Sequence, residues 1–300
     1  MSLLQTKTYP AFQRSAKKNK NHCLEEFENP SGNFHKVDYL GYTMPAFNEQ
    51  IHEWCGEWKS KGCLNVEQHK KKMAYLKRYQ RSCYRADCKV CAKKWLARLA
   101  NRSTSRITIY QAYNPNKRAK HIVISPPSWH HHKPLKFLRK QAYRYLKKVG
   151  CYGGTMIFHA YRSYIDEWDR KIWYFSPHFH IIGFGWIVGS NVSKTYHKDG
   201  WLVKNIGVRK SVFQTIYYQL SHCTIVKGKH TLTWFGDLGY HNSILKVEDE
   251  PVLDQCPECF AKLEELVWNG RGKPPPDEVF EGFVEADSYF APKIPYVTKN

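Results

Sequence analysis

Residues 174 to 185 read YFSPHFHIIGFG, an apolar and aromatic run that carries two imidazoles one residue apart, His178 and His180. A run of this length and composition reads as a buried β-strand, and side chains on a strand alternate between its faces. His178 and His180 therefore point the same way, within reach of a single metal ion. Phe179 and Ile181 fill the opposite face. Ser176-Pro177 just ahead of the pair predicts a bulge or an irregular strand entry, because proline cannot donate to a sheet ladder.

Working outward, strands and helices alternate on both sides of this run. HIVIS (121–125) reads as a short buried strand stopped by Pro126-Pro127, and GGTMIFHAYR (153–162) as a longer one. The stretch 133–150 reads as a helix with Leu135, Leu138, Ala142, Tyr145 and Val149 on one face and Gly150 at its end. Residues 211–223, SVFQTIYYQLSHC, read as a second helix with Ser211 near its N-cap. Phe213, Ile216, Tyr217 and Leu220 form its apolar stripe, which leaves Tyr218 on a polar face with Gln214 and His222. The expected class is α+β, a central antiparallel sheet with helices packed on it and zinc-binding modules before and after.

The 300 residues carry 47 Lys+Arg against 26 Asp+Glu, a net charge of +21 that repels itself in the compact state and calls for a polyanionic partner. No run approaches the ~18 apolar residues of a membrane span, and the first 20 residues lack the apolar core of a secretory signal. The expectation is therefore an intracellular, cytoplasmic protein with no membrane partner, in which clustered cysteines are metal ligands before they are disulfides. Cys83-x4-Cys88-x2-Cys91 has the spacing of a tetrahedral zinc site with three local ligands, the fourth being Cys63, Cys55 or His69. Cys256-x2-Cys259 is a second half-site that either completes a site with upstream cysteines or holds only part of one, while Cys23, Cys151 and Cys223 read as single thiols. Basic residues crowd the first cluster, with Tyr75, Tyr79, Tyr84 and Trp95 among them. Of these, Arg78, Arg81, Arg85, Lys93 and Lys94 are taken as DNA contacts, cations for phosphates beside aromatics for unpaired bases. The expected organisation is a weakly ordered arm over 1–50, a cysteine-rich region over 51–106, a sheet-and-helix domain carrying the histidine pair over 107–246 and a C-terminal region over 247–300. His130, His131 and His132 are placed in a loop.

Four segments together resemble the HUH endonucleases, and within them the rolling-circle replication initiators of plasmids and viruses. HIVISPP is similar to the family's first strand motif, SPHFHIIGFG to its metal-binding motif and IYYQLSHC to its tyrosine helix. CYRADCKVCAKKW resembles the zinc-binding region upstream of the nuclease in initiators of archaeal type. The resemblance spans roughly residues 55 to 225. It departs at one point: many members have Tyr-x-x-Lys, and no lysine follows either tyrosine at that offset here.

The resemblance implies an HUH, RRM-like nuclease fold and a metal-dependent enzyme that nicks and rejoins single-stranded origin DNA. The product is a 5′-phosphotyrosine and a free 3′-hydroxyl that the host's polymerase and helicase use. It implies Mn²⁺ or Mg²⁺ at the catalytic site and structural Zn²⁺ elsewhere. Of the two adjacent tyrosines, Tyr218 on the polar face is the expected nucleophile and Tyr217 the alternative, with His222 accepting the phenolic proton or orienting the phosphate. The family's third metal ligand comes from the preceding strand, where the polar residue is His159, giving a set of His159, His178 and His180. Glu167 and His121 are weaker candidates. Three imidazoles favour Mn²⁺, Co²⁺ or Zn²⁺ over Mg²⁺. Arg162, farther along the same strand, is expected on a DNA phosphate. The competing readings are a non-catalytic zinc-dependent DNA-binding regulator, a metal-dependent hydrolase using water, and a relaxase or transposase of the same superfamily.

Overall fold

The histidine-bearing run becomes the middle strand of a sheet. The computed structural model describes residues 41–187, 199–247 and 254–291, all within one unit spanning 36–300. In chain order the elements are β1 (Trp58–Cys63), β2 (Ala74–Gln80), α1 (Ala92–Ala112), β3 (Lys120–Ser125), α2 (Leu135–Lys148), β4 (Cys151–Ile165) and β5 (Lys171–Gly185). They continue with β6 (Leu202–Val208), α3 (Val212–Ser221), β7 (Leu232–Gly236), β8 (Glu264–Trp268), β9 (Phe280–Val284) and β10 (Tyr289–Phe290). Among the described residues this is an α+β protein with two antiparallel five-stranded sheets and three α-helices. None of those helices is long and apolar enough to cross a membrane.

The larger sheet has the order β6-β3-β5-β4-β7, so β5 lies at its centre. Its two faces follow from alternation. Ile157, Ile182 and Phe184 point to one side, where they pack with Leu96, Ala100 and Ile107 of α1 and Ile216 and Leu220 of α3. Phe158 and Phe179 point to the other, rings 5.2 Å apart. On that side α2 lies against the sheet, with Tyr143 hydrogen-bonded to Thr233 of β7. α2 ends as its sequence predicts: Gly150 takes φ +80°, the left-handed conformation that closes a helix without a Cβ penalty. One buried cation fastens the core. Arg106 of α1 donates to the carbonyls of Leu238, Gly239 and Leu245 and lies over the Trp234 ring, so carbonyl dipoles stand in for a carboxylate.

The smaller sheet has the order β10-β8-β1-β2-β9. Strands from the two ends of the described chain interleave in it. β8 joins β1 through Ser60↔Leu266, Lys61↔Glu265 and Gly62↔Glu264, and β9 joins β2 from Ala74↔Val284 to Arg78↔Phe280.

This arrangement differs from the expected organisation. The segments read as zinc modules before and after the domain expected over 107–246 are parts of one sheet, because their short strands complete one another's ladders. α1 runs across position 106 and packs on α3, since its apolar face needs the larger sheet to cover it. Residues 1–40 of the expected arm lie outside the described residues. The last ten are anchored: Met44 is buried, Thr43 bridges Ile225 and Asn48 bridges Cys88.

Candidate metal centre and nucleophile

The ladder between β4 and β5 sets His159 directly opposite His178. Past that pair the register shifts: Ala160 stands against both Ser176 and Pro177 before Tyr161 meets Phe175. The extra residue on β5 is a bulge at Ser176-Pro177, where the missing proline N–H costs no ladder bond. His180 lies two residues along the same face. One nitrogen from each of His159, His178 and His180 falls within 4.8 Å of the others.

The chemistry of these three rings fits a cation. His159 is fully buried and neither of its ring nitrogens has a hydrogen-bond partner. A buried orphan of this kind costs free energy unless something supplies a bond, and a metal ion does. All three rings are neutral. Burial is the main cause, holding His178 down at about 3 and His159 and His180 well below the ordinary histidine range, with the Arg162 charge acting the same way. Neutral imidazoles are the form that ligates. His178 donates from Nδ1 to the Ser176 carbonyl, 2.9 Å away, which leaves its Nε2 lone pair facing His180 Nε2 at 3.1 Å. This is the outer support that orients metal-binding histidines.

His121 supports the cluster from β3. Its Nε2 lies 2.8 Å from His180 Nδ1 and its Nδ1 2.9 Å from Arg209 Nη2. Arginine only donates, so His121 Nδ1 accepts from Arg209. The side-chain amide nitrogen of Gln219 on α3, also donor-only, lies 2.9 Å from the same Nε2 that faces His180. His121 is thus a supporting residue, outside the cluster of three. Glu167 sits exposed in the β4–β5 turn.

α3 delivers the tyrosines. Ser211 caps it by accepting from the Gln214 amide at 3.2 Å. Ile216 and Leu220 bury their side chains in the core, and Tyr217 packs there against Phe213, rings 5.8 Å apart. Tyr218 is rotated away and is 51% exposed. After the helix the chain docks along β4, where Thr224 donates to the Phe158 carbonyl and accepts from the Ala160 amide. That contact brings His222 between Tyr218 and the cluster, its ring 4.8 Å from Tyr218 and 4.7 Å from His159. Burial, then the Lys171 charge, lower His222 to about 4 and keep it neutral. Arg162 lies beside the cluster, donating to Ser125 and Ser176 hydroxyls at 2.7 and 3.2 Å.

Cysteines and one histidine form two further clusters. Cys55 joins Cys83, Cys88 and Cys91; Cys63 and His69 join Cys256 and Cys259. Of the three candidates for the fourth place at the first site, the structure puts Cys55 there, while Cys63 and His69 complete the second half-site. Cys63 Sγ is 3.5 Å from Cys259 Sγ and Cys256 Sγ 3.2 Å from His69 Nε2. These are too long for a disulfide and close to the edges of a tetrahedron with Zn–S of about 2.3 Å. His69 Nδ1 bonds the Met73 carbonyl at 2.7 Å, which turns Nε2 inward. Burial pushes Cys83 and Cys63 up to about 12. At Cys91 hydrogen bonds from Ser82 and the Cys83 amide outweigh burial and bring the thiol to about 7. Both clusters could hold a structural metal such as zinc.

The basic residues near the first cluster are partly engaged within the chain. Arg78 lies over Trp58 and near Asp277, Arg81 lies over Trp54 and pairs with Glu57, and Arg85 pairs with Asp87. Lys94 donates to the Gln80 carbonyl, while Lys93 is exposed on α1. Two residues of the site had no clear signal in the sequence. Gln219 follows the tyrosines on a helix whose polar face was read through Tyr218, and Arg209 stands in a loop after an edge strand.

Fold and site define an α+β protein with a buried three-histidine centre beside an exposed tyrosine and two cysteine-rich clusters. No protein-family model, curated protein or solved structure gives a significant match to the chain.

Proposed function

We propose that the protein is a metal-dependent single-stranded DNA endonuclease and strand transferase of the HUH type, acting as a rolling-circle replication initiator. The observation that carries this reading is the line Tyr218, His222, His159. An exposed phenol abuts a neutral imidazole, which abuts a buried histidine with two unpartnered nitrogens. His159, His178 and His180 would hold the divalent ion, which when bound neutralises charge on the scissile phosphate. Tyr218 Oη forms the new bond to phosphorus, the bond to the 3′ oxygen breaks, and that oxygen takes a proton from water and leaves as a 3′-hydroxyl. His222, neutral at physiological pH, accepts the phenolic proton, and Arg162 holds a neighbouring phosphate oxygen. Tyr217 is packed into the core and lacks that position.

The test is a covalent-adduct assay with Mn²⁺ and labelled single-stranded DNA from the replicon that encodes the chain. A labelled protein band on a denaturing gel is expected, lost in Tyr218→Phe and kept in Tyr217→Phe. Cut DNA without an adduct would assign water as the nucleophile. Binding with neither cut nor adduct would favour the zinc-dependent regulator.

A further inference from the structure

Beyond the His159–His178 pair the β4–β5 hairpin leaves the sheet. β7 pairs β4 only as far as Ile157, and β3 pairs β5 only from Phe179 to Gly183. From Tyr161 to Ile165 and from Lys171 to Phe175 the two strands pair with each other, and no other described strand joins them. A two-stranded arm with no sheet neighbour is expected to be polar. This one exposes Tyr164 and Tyr174, 42% and 45% accessible, with rings 5.9 Å apart.

The placement of these rings is not scattered. Arg162 pairs directly with Tyr174, and Tyr164 follows two residues on, so the three share one face of the arm. Arg162 reaches back to Ser125 and Ser176 beside the histidines. The row Arg162, Tyr174, Tyr164 therefore starts at the candidate centre and runs outward at about 3.3 Å per residue. Trp173 lies 6.4 Å from His222, with the Lys171 ammonium 5.2 Å over its ring. Rings interleaved with cations suit a polyanion with unpaired bases, since every base offers a π-face and every linkage a charge. At the tip, Asp166 is taken up by Arg170 and turn amides. Glu167 and Asp169 repel phosphate there, which confines the contact to the stem.

We propose that the stem of this arm is a stacking platform, with Tyr164 and Tyr174 holding bases of a DNA single strand whose phosphate lies at the histidine centre. The proposal rests on the nuclease reading for its direction, and its test does not require cleavage. Fluorescence anisotropy would compare a labelled 20-mer of thymidylate with an abasic deoxyribose-phosphate oligomer of equal length. Tyr164→Ala/Tyr174→Ala is expected to weaken thymidylate binding about fivefold to a hundredfold while leaving the abasic oligomer unchanged. Tyr164→Phe/Tyr174→Phe, which keeps the rings, is expected to bind as the unmodified chain does. Equal loss on both oligomers, or no loss on either, overturns the platform. So does a change in sedimentation alone, which would make the arm a contact between copies. If base-dependent loss is seen but no adduct ever forms, the platform stands and the nuclease reading falls. If adducts form and the arm variants bind normally, only the platform falls.

Discussion

Opening the second cysteine cluster is expected to release the C-terminal strands, and the structure supplies the magnitude. Cys63 ends β1 and His69 lies between β1 and β2, whereas Cys256 and Cys259 precede β8. Only three residue pairs join β8 to β1. A metal here ties His69 to Cys256 across 187 positions of chain. In the chain-entropy account of a cross-link, a loop of that length restrains the unfolded state by about 5 kcal/mol. The first cluster ties Cys55 to Cys91, a loop of about 36 residues, which gives about 4 kcal/mol by the same relation. Cys256→Ser/Cys259→Ser should therefore destabilise the zinc-loaded protein by about 1.5 kcal/mol more than Cys55→Ser does. Urea unfolding in excess zinc measures the difference, and amide exchange locates it. Amides of Glu264–Trp268 and Phe280–Val284 are expected to lose protection in the double variant while the central strand β5 keeps its own. Equal destabilisation by the two changes, or unchanged protection in β8 and β9, would refute the idea that this cluster staples the sheet.

A further outcome follows from the histidine centre. The metal-free protein should lose stability as pH falls below about 6.5, because unfolded histidines take up protons there while His178 stays neutral down to about 3 and His121 and His222 down to about 4. The unfolded state binds more protons in that window, so stability rises with pH through it. Buried His178 alone accounts for about 2 kcal/mol between pH 7 and pH 5, and His178→Gln should flatten the dependence measured by urea unfolding.

Parts of this architecture were readable without coordinates because local rules suffice for them. β3, β4 and β5 follow from apolar runs of strand length, α2 from its stripe and terminal glycine, and α3 from its stripe and Ser211. The bulge was legible in Ser176-Pro177 because proline's missing donor is a covalent property. β1, β2 and β6–β10 were not read, since segments such as EELVW and FEGFV are short and carry no decisive period. Such strands exist because a partner completes their ladder, and the partner is far away in sequence.

The sequence by itself determined that His178 and His180 share a face, that Tyr217 and Tyr218 diverge around a helix, and that Cys83, Cys88 and Cys91 lie close enough to act together. Each is a consequence of backbone periodicity over a few residues. Only the tertiary structure decided that His159 stands opposite His178, that Cys55 completes one cluster while Cys63 and His69 complete the other, and that His121, Arg209 and Gln219 gather behind His180. Those choices depend on strand register and on chain segments up to 196 positions apart. Register is set by the packing of whole faces against α1, α2 and α3, which no short stretch of sequence contains.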